Sequence, residues 1–392
     1  MRTPPQQIRL LMLMSIAMPV AWATWLALLN NFVVERAAFT GAEIGILHSV
    51  REVPGFLAFT AVFVLLVLRE QTFAIVSLAV LGLGVALTGV FPSEYGLYFT
   101  SLLMSIGFHY FETVKQSLSL QWLHRDEAPQ LLGRMISVGA LTSIVVYALL
   151  WVLLSWLEVD FVWIYLLAGG TCVGLAVYMK VGFPTFSADS TQTMELFLRR
   201  RYWLYYALTF FSGARRQIFV VFAAFMMVEK FGYEPEQIVL LYLINQTFNF
   251  LFAERIGALI GRIGERRALI LEYGGLILVF TGYAFVNDAT LAAVLYVIDH
   301  LFFALAIAMK TYLQKIGDPE DMAGTAGVSF TINHIAAVAI PALLGFVWLN
   351  SPSVVFLLGV GFAVCSLILA LNVPDKPGRG NEVVVGKVAL SA

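Results

Sequence analysis

The chain has 392 residues, of which 60% are hydrophobic and 12% charged, and its formal net charge is −1. Soluble domains carry roughly 25% charged residues, so this composition cannot build a water-facing shell, and lipid is the solvent that fits. A balanced charge also excludes a nucleic-acid partner held by bulk electrostatics.

Twelve apolar segments follow in chain order, at about 9–34, 41–68, 72–91, 96–118, 131–156, 160–180, 202–228, 237–259, 268–287, 290–311, 323–349 and 353–373. Each has about 20 residues or more, enough to cross a hydrocarbon core of ~30 Å as a helix. The runs do not alternate, which excludes a β-barrel. Arg2 and Arg9 precede the first run, which continues from Leu10 to Val34. That is too long for a signal-peptide core and predicts an uncleaved spanning helix. Asn30 and Asn31 near its outer end are gate candidates. Cys172 and Cys365 sit in apolar runs and read as small hydrophobes.

With the N-terminus inside, the inner segments hold Arg2, Arg9, Arg69, Arg125, Arg134, Lys180, Arg199, Arg200, Arg201, Arg255, Arg262, Arg266, Arg267, Lys315, Lys376, Arg379 and Lys387. The outer loops hold only Arg36 and Lys230. This bias predicts cytoplasmic termini in an inner or plasma membrane. A long connection at 181–201, with Pro184 and the cluster Arg199-Arg200-Arg201, divides the chain into a bundle at 1–180 and a second at 202–373. The tail at 374–392 is polar and predicted to be disordered. The halves resemble each other: Val34-Glu35-Arg36 matches Val228-Glu229-Lys230, and Ile44 matches Ile238 at the same offset. Paired six-helix bundles with a site between them near mid-depth are a transporter architecture.

Polar residues inside spanning runs are costly and must face a partner or a cavity. In the second segment His48, Arg51 and Glu52 share a face at i, i+3 and i+4, before Pro54 and Gly55. In the fourth, His109, Glu112 and Gln116 share a face, with Lys115 adjacent. In the seventh, Arg215 and Arg216 fall near the middle; neighbouring positions point about 100° apart, so one at most faces a cavity squarely. The eighth carries Asn245, Gln246 and Asn249, where interhelical hydrogen bonding is the default. In the tenth, Asp299 and His300 lie near mid-depth. Each of these groups has two open readings, a solute or proton site and a structural ion pair.

Between the eighth and ninth segments lies Gly257-Ala-Leu-Ile-Gly261-Arg262-Ile-Gly264-Glu-Arg266-Arg267. Small residues end the helix here, and three guanidiniums can cap its carbonyls or pair with acids. The loop resembles the signature of the major facilitator superfamily, G-x-x-x-D/G-R-x-G-R/K-R/K. Gly261 stands where an Asp is often found, so an acid partner must come from elsewhere or be absent. The equivalent loop of the first half, near Leu68-Arg69-Glu70-Gln71, lacks the glycines.

The resemblance implies an all-α membrane protein of twelve transmembrane helices arranged as two pseudo-symmetric six-helix bundles. It further implies a central cavity lined by segments 1, 4, 7 and 10. The expected substrate-binding residues are then Arg215, Arg216, His109, His300 and Arg51. Glu112, Asp299 and Glu52 are the expected proton-coupling groups. The expected function is secondary, proton-coupled, alternating-access transport of a small organic anion or zwitterion by a functional monomer. The alternative is a carrier of amphiphilic or lipid-like solutes whose charges are paired structurally. No P-loop, H-E-x-x-H or nucleophile elbow occurs, so neither an enzyme nor a cofactor is expected, and the histidines lack metal-site spacing.

Overall fold

The computed structural model describes residues 4–123, 128–186, 198–318 and 322–387. Arg2 and Arg125 of the charge pattern, and most of the 181–201 connection, lie outside the described residues.

Helices occupy all twelve apolar segments. They are α1 (Pro5–Ala37), α2 (Gly41–Phe56) with α3 (Ala61–Leu65), α4 (Glu70–Thr88), α5 (Glu94–Trp122), α6 (Ala128–Ser155), α7 (Phe161–Gly182), α8 (Trp203–Ile218) with α9 (Ala224–Glu229), α10 (Pro235–Ile263), α11 (Glu265–Phe285), α12 (Ala289–Phe303) with α13 (Ile307–Ile316), α14 (Met322–Trp348) and α15 (Pro352–Leu371). Among the described residues, nine helical runs are long and apolar enough to cross a membrane. The three segments that fall short are the ones most diluted by polar groups. The α2 run breaks after Pro54, α5 carries His109, Glu112 and Lys115, and α10 carries Asn245, Gln246, Asn249 and Arg255.

Three runs are interrupted, each soon after its charged pair. Residues 58–60 are 3-10 after Arg51 and Glu52. Residues 219–223 form a π turn after Arg215 and Arg216. Residues 304–306 are 3-10 after Asp299 and His300. Such irregular turns free backbone groups and recur at functional positions.

The helices gather into two compact units. One comprises residues 1–39, 50–192 and 233–246; the other comprises 40–49, 193–232 and 247–392. In the first, α4 packs on α5 and α7, and α1 on α6 and α7. Glycines permit the close approach. A Cβ on Gly107 would lie 2.2 Å from Leu81 N, and one on Gly82 would lie 2.7 Å from Gly169 O. Without a hydrophobic drive between helices in lipid, such small-residue packing holds the unit together. Asn31 donates through Nδ2 to the Tyr233 carbonyl at 2.7 Å, which ties the start of α10 into this unit.

In the second unit α8 packs on α14 and α15, and α11 on α15 and α12. Here the tail departs from its expectation. Residues 375–387 fold against helix ends instead of remaining disordered. Val383 is buried, Tyr312 Oη donates to the Glu382 carbonyl at 2.6 Å, and Asn372 bonds with Val385 in both directions. Trp203 Nε1 donates to Gly386 O at 3.0 Å. Composition alone suggested solvation. Val383 gives the tail an apolar side chain to bury, while Val384 and Val385 stay exposed.

Candidate functional site

In the first unit, Arg51 and Glu52 are buried and form an ion pair with each other. Residues adjacent on a helix do not normally face each other, and here burial leaves each as the other's counter-charge. The Arg51 guanidinium also lies over the rings of Trp22 and Trp25, 5.7 and 5.9 Å from their centroids. Ser105 donates to the Arg51 carbonyl, and its Oγ is 2.9 Å from His109 Nδ1. A ring nitrogen of His109 and a carboxylate oxygen of Glu52 lie within 4.8 Å. Arg51, Glu52 and His109 are therefore brought together. Glu112 is not among them. Its side chain is 44% exposed, 3.7 Å from Lys115 one helical turn on.

In the second unit the two arginines part company. Arg215 is 1% exposed, and its Nη2 donates to Glu272 Oε1 at 3.1 Å. Its guanidinium carbon stands 5.6 Å from the Tyr273 ring centroid, and Ser212 Oγ lies 3.4 Å from Nη2. Arg215, expected at a substrate site, is thus buried in an ion pair. Arg216, one position on, is exposed. Asp299 is buried. His300 Nε2 is 2.8 Å from Asn249 Nδ2.

Glu272 escaped the sequence reading, although it is the acid inside the ninth apolar run. The signal was present: a buried carboxylate needs a cation, and the seventh run offers two. Trp22 and Trp25 escaped because aromatics are abundant and most serve packing.

The loop motif also differs in detail from its expectation. Helix α10 runs through Gly257 and Gly261 to Ile263, and a Cβ at either glycine would meet nothing within 4 Å. The chain turns at Gly264, where φ is +84°, a conformation that favours glycine. Arg262 and Arg267 are exposed, while Arg266 reaches Asp375 of the tail at 3.3 Å. Glu265 is buried and bonded to Lys315 at 2.6 Å. The acid missing at Gly261 is thus supplied from the tail.

A sequence model described as the Major Facilitator Superfamily matches residues 10–341. An uncharacterised MFS-type transporter of Methanocaldococcus jannaschii is 25% identical over 134 residues, covering 34% of this chain and 34% of that protein. The chain therefore matches about a third of the length of that curated relative. Two crystal structures of the nucleoside transporter NupG share the fold. One, a mutant, has a TM-score of 0.78 at 15% identity and covers 93% of this chain and 99% of its own. The other has a TM-score of 0.75 at 16% identity, covering 93% and 98%.

Proposed function

The chain belongs to the Major Facilitator Superfamily, and on that premise we propose that it is a proton-driven secondary transporter of a small solute bearing an anionic group. Alternating access is the mechanism we infer, by a functional monomer with both termini on the cytoplasmic side. The arginine and lysine bias between loops supports that orientation.

The observation that carries the anionic solute is Arg216. It sits about midway along the apolar run Arg200–Glu229 and is exposed. A guanidinium facing lipid at that depth costs roughly 2.5–3.5 kcal/mol on insertion scales and more in simulation. A protein partner or a water-filled passage removes that cost, and along such a passage a carboxylate or phosphate on a solute would bind the guanidinium through charge-assisted hydrogen bonds. Arg215 then serves as an internal counter-charge, not as a ligand. Arg51, His109 and His300 are proposed to line the solute path, with Glu52 and Asp299 as groups able to take up protons.

A second reading has one observation in its favour. Arg51–Glu52 and Arg215–Glu272 are buried pairs, as a carrier of amphiphilic solutes with structurally paired charges requires. Purified protein in liposomes separates the two. With an imposed pH gradient, a panel of small organic anions, zwitterions and nucleosides is tested beside a labelled lipid. Gradient-dependent uptake of a charged solute is expected. Lipid movement with indifference to every charged solute would replace the first reading by the second.

A further inference from the structure

Helix α13 is short and cut off from the helix before it, and we propose that residues 375–387 of the tail are a detachable clamp that holds it against α8. The clamp is independent of which solute is carried, so it goes beyond the transport reading and does not rest on it.

Helix α13 has 10 residues, fewer than an isolated helix needs to persist. The 3-10 turn at 304–306 parts it from α12. Its position therefore depends on what its sides and its end touch. One side packs on α11, where Lys315 meets Glu265 at 2.6 Å. The joins to the start of α8 run largely through polar atoms. Asp318, two residues past the end of α13, receives Arg201 Nη2 at 2.5 Å, and its own N–H donates to Tyr202 Oη at 3.0 Å. The rings of Tyr312 and Tyr205 stand 6.5 Å apart between centroids.

The tail spans this junction. Arg379 reaches the other oxygen of Asp318, Tyr312 Oη donates to the Glu382 carbonyl, and Trp203 Nε1 of α8 donates to Gly386 O. Val383 joins the apolar cluster that Tyr205, Tyr312 and Ile316 share. The segment keeps its own shape through two backbone hydrogen bonds between Gly378 and Asn381, at 2.9 and 3.3 Å, and through positive φ at Gly380 and Gly386. Little apolar surface holds it down, however. Val384 and Val385 are 50% and 71% exposed, and the side chains of Asp375 and Arg379 are 75% and 65% exposed. A segment fixed by one buried valine, a few hydrogen bonds and ion pairs that salt can screen opens locally before the fold does. Once it lifts, Trp203 Nε1 and Tyr312 Oη lose their acceptors in the tail, and α13 keeps only its packing and the Arg201–Asp318 pair on the α8 side.

Hydrogen exchange of the purified full chain, read by mass spectrometry, tests both parts of the claim. Raising salt from about 0.1 to about 1 M should speed exchange at 376–387 and at 304–317 together, by about tenfold. A chain ending at Pro374 should exchange fast at 304–317 at either salt, and Arg379→Gln in the full chain should fall between the two. Residues 269–285 of α11 should stay unchanged throughout. Exchange at 376–387 that ignores salt overturns the proposal, because the segment is then not detachable. Exchange at 304–317 that stays slow when the tail loosens or is removed also overturns it, because α13 then holds itself. Loosening of 269–285 in step overturns it as well, since the tail is then an ordinary part of the fold. If the shortened chain does not fold, Arg379→Gln decides, and unaltered exchange at 304–317 in that variant is the overturning result.

Discussion

Arg266 of the glycine loop lies 3.3 Å from Asp375 of the tail. A short way along the same strap, Arg379 and Arg201 both meet the carboxylate of Asp318, with Arg201 Nη2 at 2.5 Å. The two pairings differ in burial, and burial decides their weight. The Asp375 side chain is 75% exposed, so Arg266→Ala should change stability by no more than about 1 kcal/mol. Arg201 is 5% exposed, so Asp318→Ala leaves a buried guanidinium short of its acceptor and should cost about 1–3 kcal/mol. Thermal unfolding in detergent compares the two. Equal shifts would mean that the strap is not held at Asp318.

Glu272 is the carboxylate that accepts from buried Arg215, so Glu272→Gln strands a buried guanidinium, at a cost of about 3–5 kcal/mol. Adding Arg215→Met should restore the folded yield measured by size-exclusion chromatography after solubilisation. A Glu272→Gln variant as stable as the unaltered protein would show that Arg215 finds another counter-charge.

Helix α5 passes α4 through Gly107, where a Cβ would meet backbone that cannot swing aside. Gly107→Ala should force the helices apart and cost about 1–3 kcal/mol. Gly170→Ala, with nothing within 4 Å of the added carbon, is the matched control. The comparison needs only melting temperatures, and similar values for the two would remove the close approach from the account of packing.

Arg216→Gln should raise KM for a transported anion by about tenfold, the loss of one charge-assisted hydrogen bond of roughly 1.5–3 kcal/mol partly offset by water. Arg216→Lys should retain part of the affinity, since it keeps the charge and loses the fork. Unchanged KM in the glutamine variant would place the anion elsewhere.

Much of the architecture was legible in the residues. Twelve apolar runs of membrane length and a glycine-turned basic loop lead to the family and its fold. The site was legible only in part. Position showed that Arg215 and Arg216 could not share a face, but not which would be sealed, since that depends on Glu272 of another helix. Glu112 shared a helical face with His109 in the sequence, yet Lys115 on the same helix holds it at 3.7 Å. The tail was misread because polarity was averaged across it, which hid Val383.

The π turn at 219–223 has a consequence for the winding of the whole seventh run. A wider turn absorbs an extra residue, so everything beyond Ala223 is carried round the axis by about 100° relative to an unbroken helix. Counting back at 100° per residue from Glu229, whose carboxylate accepts from Trp348 Nε1 at 2.7 Å, therefore misplaces Arg216 around the cylinder by about that much. Excising one residue from this stretch would tighten it to ordinary pitch. The arginine pair and the Trp348 anchor could then no longer both keep their present bearings.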